Sequence, residues 1–264
     1  MKYLSTLATD ESLPVQTRLK TVEAFNRVNA KAGYPLLSTL IGNFDENGRK
    51  PAVHFLSLST QGGTALLKLL SDKVITEDDF DYLSATRVAT STRKNPVAKK
   101  LLKTWSDRKK ATDARQAKKV EHIAELVTKQ EGNPAVGQGL FQMCLACHAV
   151  GDQGYSIAPA LDGSASRETH ALLTALLQPD AAMEGGYELA RVIRKNGTMV
   201  EGYLYSSDDI GVIVATQGNI QTFIPRSDVK TETSVAGKSF MPALLNELPE
   251  QNVIDLLSYI QTLK

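Results

Sequence analysis

The stretch Cys144-Leu145-Ala146-Cys147-His148 constrains this chain more than any other. Two thiols with two residues between them, and an imidazole directly after the second, form the covalent attachment pattern of a c-type haem. The chemistry requires that order. On one helical turn both sulfurs can reach the haem vinyl groups as thioethers, and the next residue, His148, then falls beneath the iron as proximal ligand.

Other readings of the same five residues stay open at this level. A thioredoxin-like redox pair wants a strand before the motif in a βαβ setting, whereas Gly139 to Met143 reads as helix. A structural zinc site needs closed tetrahedral ligation, yet the chain holds only two cysteines, and His54, His122 and His170 lie far from the motif in sequence. Chance occurrence is the third alternative, and the residues on the C-terminal side of the motif argue against it.

With 264 residues, 42% of them hydrophobic, the chain can bury a sizeable core in two or three domains. Its net charge of +1 gives no field that would favour nucleic acid or a membrane surface, so neither partner is expected. No run is long and apolar enough to span a bilayer. Both cysteines belong to the motif, which leaves none for a disulfide and no compartment signal from cysteine usage. Haem c attachment in bacteria takes place outside the cytoplasmic membrane, while Met1 to Leu4 begins no signal peptide and charges arrive at Asp10 and Glu11. The expectation is a mature or excised piece of a larger exported protein, periplasmic or exported in location.

From Ser12 to about Glu131 the pattern is helix after helix. Val15, Leu19, Val22 and Phe25 share one face behind Pro14, and Leu36, Leu37, Leu40 and Ile41 form a second stripe. Further helices are predicted over Pro51–Leu58, Thr64–Leu70, Glu77–Thr86, Asn95–Trp105 and Asp113–Lys129. Short amphipathic helices must stack to bury their stripes, so residues 1–131 resemble a degenerate HEAT-type or armadillo-type array, with an irregular bundle as the alternative. The basic run from Arg93 to Lys119 reads first as a solvated face; docking to an acidic partner is the functional alternative.

Gly132-Asn133-Pro134 breaks the chain, and a second domain is expected over 134–264. Gly137 and Gly139 would admit a close helix, and Phe141 offers a ring to that helix or to the haem edge. A glycine-bearing loop is predicted over Ala149–Tyr155 and a helix over Ser166–Leu177. The period then turns alternating: strands are predicted over Tyr187–Arg194, Thr198–Tyr205, Ile210–Thr216, Ile220–Ile224 and Val229–Val235, with hairpin turns at Asn196-Gly197 and Gly218-Asn219. They imply a small β-barrel or curled sheet inserted at about 187–235. A last helix spans Pro249–Leu263. Before it, Pro242 biases Met241 towards extended backbone, which suits a thioether presented from a loop to complete His/Met ligation. Met143, Met183 and Met199 read as core or strand residues.

Residues 134–264 resemble the C-terminal haem-binding cytochrome c domain of large exported proteins of Planctomycetes, Verrucomicrobia and Bacteroidetes. The likeness runs through Gly137 to Phe141, Cys144 to His148, Gly151 to Leu161, Arg167, Gly186-Tyr187, Asn196-Gly197, Ser239 with Met241-Pro242, and Asp255-Leu256-Leu257 with Tyr259. It implies a mainly α fold: a HEAT-like array, then a class I cytochrome c domain carrying the β insertion. By this resemblance one haem c is anchored on Cys144 and Cys147 and ligated by His148 and Met241. The Pro159 carbonyl would accept the proximal N–H, Leu161 would pack on the haem face, and Arg167 would pair with a propionate. Three departures stand out. Ala158 replaces the usual glycine, Ala243-Leu244 follows Pro242 where an acid and a glycine are usual, and Phe141 precedes the first cysteine by three residues rather than four.

The function so implied is single-haem electron transfer and not catalysis. The expected donor is a dehydrogenase domain or protein, and the acceptor a downstream redox protein. A gas or redox sensor and a helical interaction scaffold are the rival readings.

Overall fold

A computed structural model describes residues 2–264; Met1 and the side chains of Lys2, Arg27, Val28, Ala30 and Lys31 lie outside the described residues. Two units emerge, 1–110 with Gly197–Met199, and 111–196 with 200–264. The division falls inside a helix, and the Gly132–Pro134 break lies within the second unit.

The first unit contains α1 (Lys2–Thr9), α2 (Val15–Val28), α3 (Ala30–Leu40), α4 (Glu46–Ser57), α5 (Thr60–Ser71), α6 (Tyr82–Ser91) and the start of α7 (Pro96–Leu126). Helix starts follow side-chain caps: Asp45 accepts the Gly48 N–H, Ser59 that of Gly62 and Asp81 that of Ser84. Asp45 therefore starts α4 five residues ahead of Pro51, the predicted first residue, because the cap outweighs the one bond that a proline in the early turns forfeits. Leu19, Val22, Leu37, Ile41, Val53, Leu56, Leu66, Val88 and Leu101 form the buried core. Two predicted helices, Asn95–Trp105 and Asp113–Lys129, are one 31-residue helix, α7. No glycine or proline stands between them, and Lys103–Asp107 at 2.7 Å bridges one turn at the join.

The second unit takes the end of α7, then α8 (Pro134–Phe141), the hairpin β1 (Ala149–Val150) and β2 (Gln153–Gly154), α9 (Thr169–Leu177), strands β3 (Glu188–Arg194), β4 (Met199–Ser207), β5 (Gly211–Thr216), β6 (Ile220–Pro225) and β7 (Val229–Ser239), and finally α10 (Glu250–Ile260). The five strands pair in the order β6-β5-β4-β3-β7. β6 and β7 occupy opposite edges, so the sheet is open and the barrel alternative is corrected. Only the turn Arg226–Asp228 joins those edge strands, and bulges interrupt β3–β7 and β4–β5, so the sheet curls without closing. Gly197 and Gly218 adopt φ of 87° and 74°, the left-handed backbone their tight turns require.

The helical part of this unit packs α8 across α10. A Cβ on Gly137 would stand 2.0 Å from the Asp255 carbonyl oxygen, so only glycine permits that crossing, whereas Gly139 faces open space and contributes no such approach. Phe141, 2% exposed, meets the Tyr259 ring edge-on at 5.1 Å. Its ring thus serves the helix–helix contact. With Ile123, Leu173, Leu177, Val253 and Leu256 it builds the core under the motif.

Candidate metal centre

Residues of the motif sit on a single 3-10 turn, Cys144–Ala146, directly after α8. The amides of Cys147 and His148 both donate to the Cys144 carbonyl, at 3.1 and 2.9 Å, which tightens the turn and brings the two thiols to one side. Neither thiol is paired in a disulfide. Burial, with a smaller contribution from Cys147, pushes the Cys144 thiol up to about 11, and burial raises that of Cys147. Both are thus protonated near neutrality, the opposite of the activated thiolate a thioredoxin-like pair uses, and a helix rather than a strand precedes them. No group of three or more His, Cys, Asp or Glu side chains suited to a metal occurs among the described residues, so the zinc reading finds no ligand set. His122 lies against Glu250 and His170 against Glu121.

After the motif the chain folds back over itself. The predicted loop Ala149–Tyr155 is the β1–β2 hairpin. Gly154 has φ +82°, and a Cβ there would meet the His148 carbonyl at 2.1 Å. The amides of Ile157 and Ala158 donate to the Cys147 carbonyl, and that of Leu161 to Ala149. Ala158 fits without strain, since among the described residues only Lys73 and Asn219 combine a side chain with positive φ. This wrap sets the Pro159 carbonyl oxygen 2.6 Å from His148 Nδ1. A carbonyl only accepts, so Nδ1 carries the proton and Nε2 keeps its lone pair. Burial depresses the imidazole's basicity, against smaller opposing effects of the Pro159 bond and Glu184. The ring is therefore neutral near pH 7, the form a metal needs.

Cys144, Cys147, His148, Pro159, Leu161, Arg167 and Met241 all line one cavity that opens to solvent. Leu172 and Leu176 of α9, Leu245 and Ile260 supply apolar wall. Only Arg167 and Glu184 bring full charges, and they face each other at 3.8 Å. The inserted sheet lends Gln217 at its β5–β6 turn and Phe240 just beyond β7. Met143 and Met183, read from sequence as core or strand residues, also line the cavity; Met199 is buried at the start of β4. Nothing in the local pattern marks Met183, because it lies in the irregular stretch between α9 and β3, where no periodicity tells which way a side chain faces.

This donor set fits a covalently held haem by its chemistry: two protonated thiols at one turn, an oriented neutral imidazole and thioether sulfur around a mostly apolar cavity. No curated protein matches the chain. A family model described as Cytochrome c matches residues 134–215, from the start of α8 into β5, which leaves Met241 and α10 beyond the match. The C-terminal part of the chain therefore carries a cytochrome c domain.

Proposed function

We propose that residues 134–264 form a single-haem electron-transfer module. The observation that carries this reading is the convergence of both thiols, the Pro159-oriented His148 and Met241 on one apolar cavity. Cys144 and Cys147 would anchor the porphyrin by thioethers, His148 Nε2 and the Met241 sulfur would ligate the iron, and Leu161 would line the haem slot. Bound haem supplies a one-electron Fe(II)/Fe(III) couple, and a thioether ligand sets it higher than two nitrogens would. The Pro159 carbonyl would hold the imidazole plane, and Leu172, Leu176, Leu245 and Ile260 would give the haem an apolar side. Arg167, whose contact with Glu184 is long at 3.8 Å, would be the side chain to pair with a propionate. With both iron ligands supplied by the protein, no position on the iron would remain for a substrate, which favours electron transfer over catalysis.

The donor in this reading is a dehydrogenase domain or protein, the acceptor a redox protein of a respiratory chain, and the location periplasmic or exported. The helical first unit is read as a HEAT-type scaffold that brings the partner close. No helix among the described residues is long and apolar enough to cross a membrane. The test is production in an exported form beside haem-attachment machinery, followed by the intact mass. One haem per chain, lost in Cys144→Ala/Cys147→Ala, is expected; a chain without covalent haem under those conditions would overturn the proposal.

A further inference from the structure

Met241 lies on irregular backbone, and a thioether that must stay on one face of an iron has no helix or strand to hold it there. β7 ends at Ser239 and the next helical turn begins at Leu244. The hold comes from just before the gap. The Phe240 N–H donates to the Tyr187 carbonyl at 2.9 Å, and the Met241 N–H donates to the Ser239 hydroxyl at 3.1 Å. Ser239 is 6% exposed, and its own N–H donates to Oδ1 of Asp180 at 2.9 Å. The same carboxylate receives the Lys238 ammonium at 3.1 and 3.2 Å.

Asp180 itself is held firmly. It stands in a tight turn after α9, where the Gln178 carbonyl accepts the Ala181 and Ala182 amides at 2.8 and 3.2 Å, and the Gln178 side chain donates to the Asp113 carbonyl at 3.0 Å. Its neighbours Pro179 and Ala182 line the cavity. The carboxylate thus joins the α9 side of the cavity wall to the strand end from which Met241 projects.

We propose that Asp180, acting through Ser239, is the positioning residue that holds Met241 at the iron. The inference rests on Met241 being the distal ligand. Without the carboxylate the Ser239 N–H is buried and unpartnered, a state that backbone rotation relieves. That rotation carries away the hydroxyl on which the Met241 amide rests. An ion pair of merely local value would stop at Lys238, whereas here one carboxylate oxygen reaches the backbone next to the ligand.

The experiment uses the full chain with haem attached and follows carbon monoxide binding to the reduced protein, the weak long-wavelength ferric band of thioether ligation, and thermal unfolding. In Asp180→Ala and Ser239→Ala carbon monoxide should bind about tenfold more readily, the scale of one charge-assisted hydrogen bond, and the ferric band should weaken. Asp180→Asn retains an acceptor for the Ser239 N–H and Ser239→Thr retains the hydroxyl, so both should recover most of the wild-type behaviour. Lys238→Gln should match wild type. If Asp180→Ala fails to accumulate, Ser239→Ala carries the decision. Folded Asp180→Ala and Ser239→Ala proteins with wild-type carbon monoxide resistance and band, beside a Met241→Ala protein that has lost both, would overturn this inference alone. A Met241→Ala protein that keeps both would overturn the ligand assignment and this inference with it.

Discussion

His148 Nδ1 stands 2.6 Å from the carbonyl oxygen of Pro159, eleven residues on. The bond fixes the tautomer, and the proline ring fixes the φ angle that aims the carbonyl. Pro159→Ala keeps the acceptor but frees its backbone. The haem-loaded variant should lose about 0.4–1 kcal/mol of stability by denaturant titration, and its reduction potential should shift. A potential identical to wild type would mean that the proline does not tune the iron.

Two glycines in the same helix should respond in opposite ways. A Cβ on Gly137 collides with the Asp255 carbonyl, so Gly137→Ala should separate α8 from α10 and cost about 1–3 kcal/mol. Gly139 faces open space, so Gly139→Ala should be stabilising by about 0.5–1 kcal/mol. Thermal melts of the two variants check the pair.

The thiols offer a test that needs no haem. In chain produced without attachment, burial holds both thiols above their ordinary range and Cys144 highest, at about 11. Alkylation should therefore be slow at pH 7.5, rise with pH, and label Cys147 before Cys144. Rapid labelling near neutrality would revive the redox-pair reading.

The helical unit carries its own pH dependence. Burial alone would raise the Asp79 carboxyl, but hydrogen bonds from Arg49 Nε at 2.8 Å and from the Thr76 amide at 2.7 Å override it and leave the group below its ordinary value. A carboxylate depressed on folding stabilises above its unfolded pKa of about 3.9 and ceases to as pH falls through the lower folded value. Asp79→Asn should destabilise this unit by about 1–3 kcal/mol at pH 7. The difference from wild type should vanish in strong acid, as read by helical circular dichroism.

Much of this architecture is legible in the sequence alone. The motif, the two glycine-marked hairpin turns and the apolar stripe of α10 each report local chemistry, and they fall where the pattern places them. The features that escape are set by contacts far apart in the chain. Whether five strands close depends on an edge pairing of β6 with β7 that no window of sequence contains. Gly137 and Gly139 look alike until Asp255, over a hundred residues on, approaches one of them. The join inside α7 lacks a breaker, yet a polar stretch between two apolar stripes reads as a gap. Met183 and Asp180 lie in an irregular stretch, where only the fold reveals that one lines the cavity and the other grips Ser239.

The proposal that His148 and Met241 would both ligate the iron is tested most directly by the ferric visible spectrum of the haem-loaded protein and of Met241→Ala. The expected result is a low-spin spectrum with the weak long-wavelength band of thioether ligation in the wild type and its loss in the variant, while Met183→Ala keeps it. A high-spin wild-type spectrum, or a band that survives Met241→Ala, would contradict that ligation.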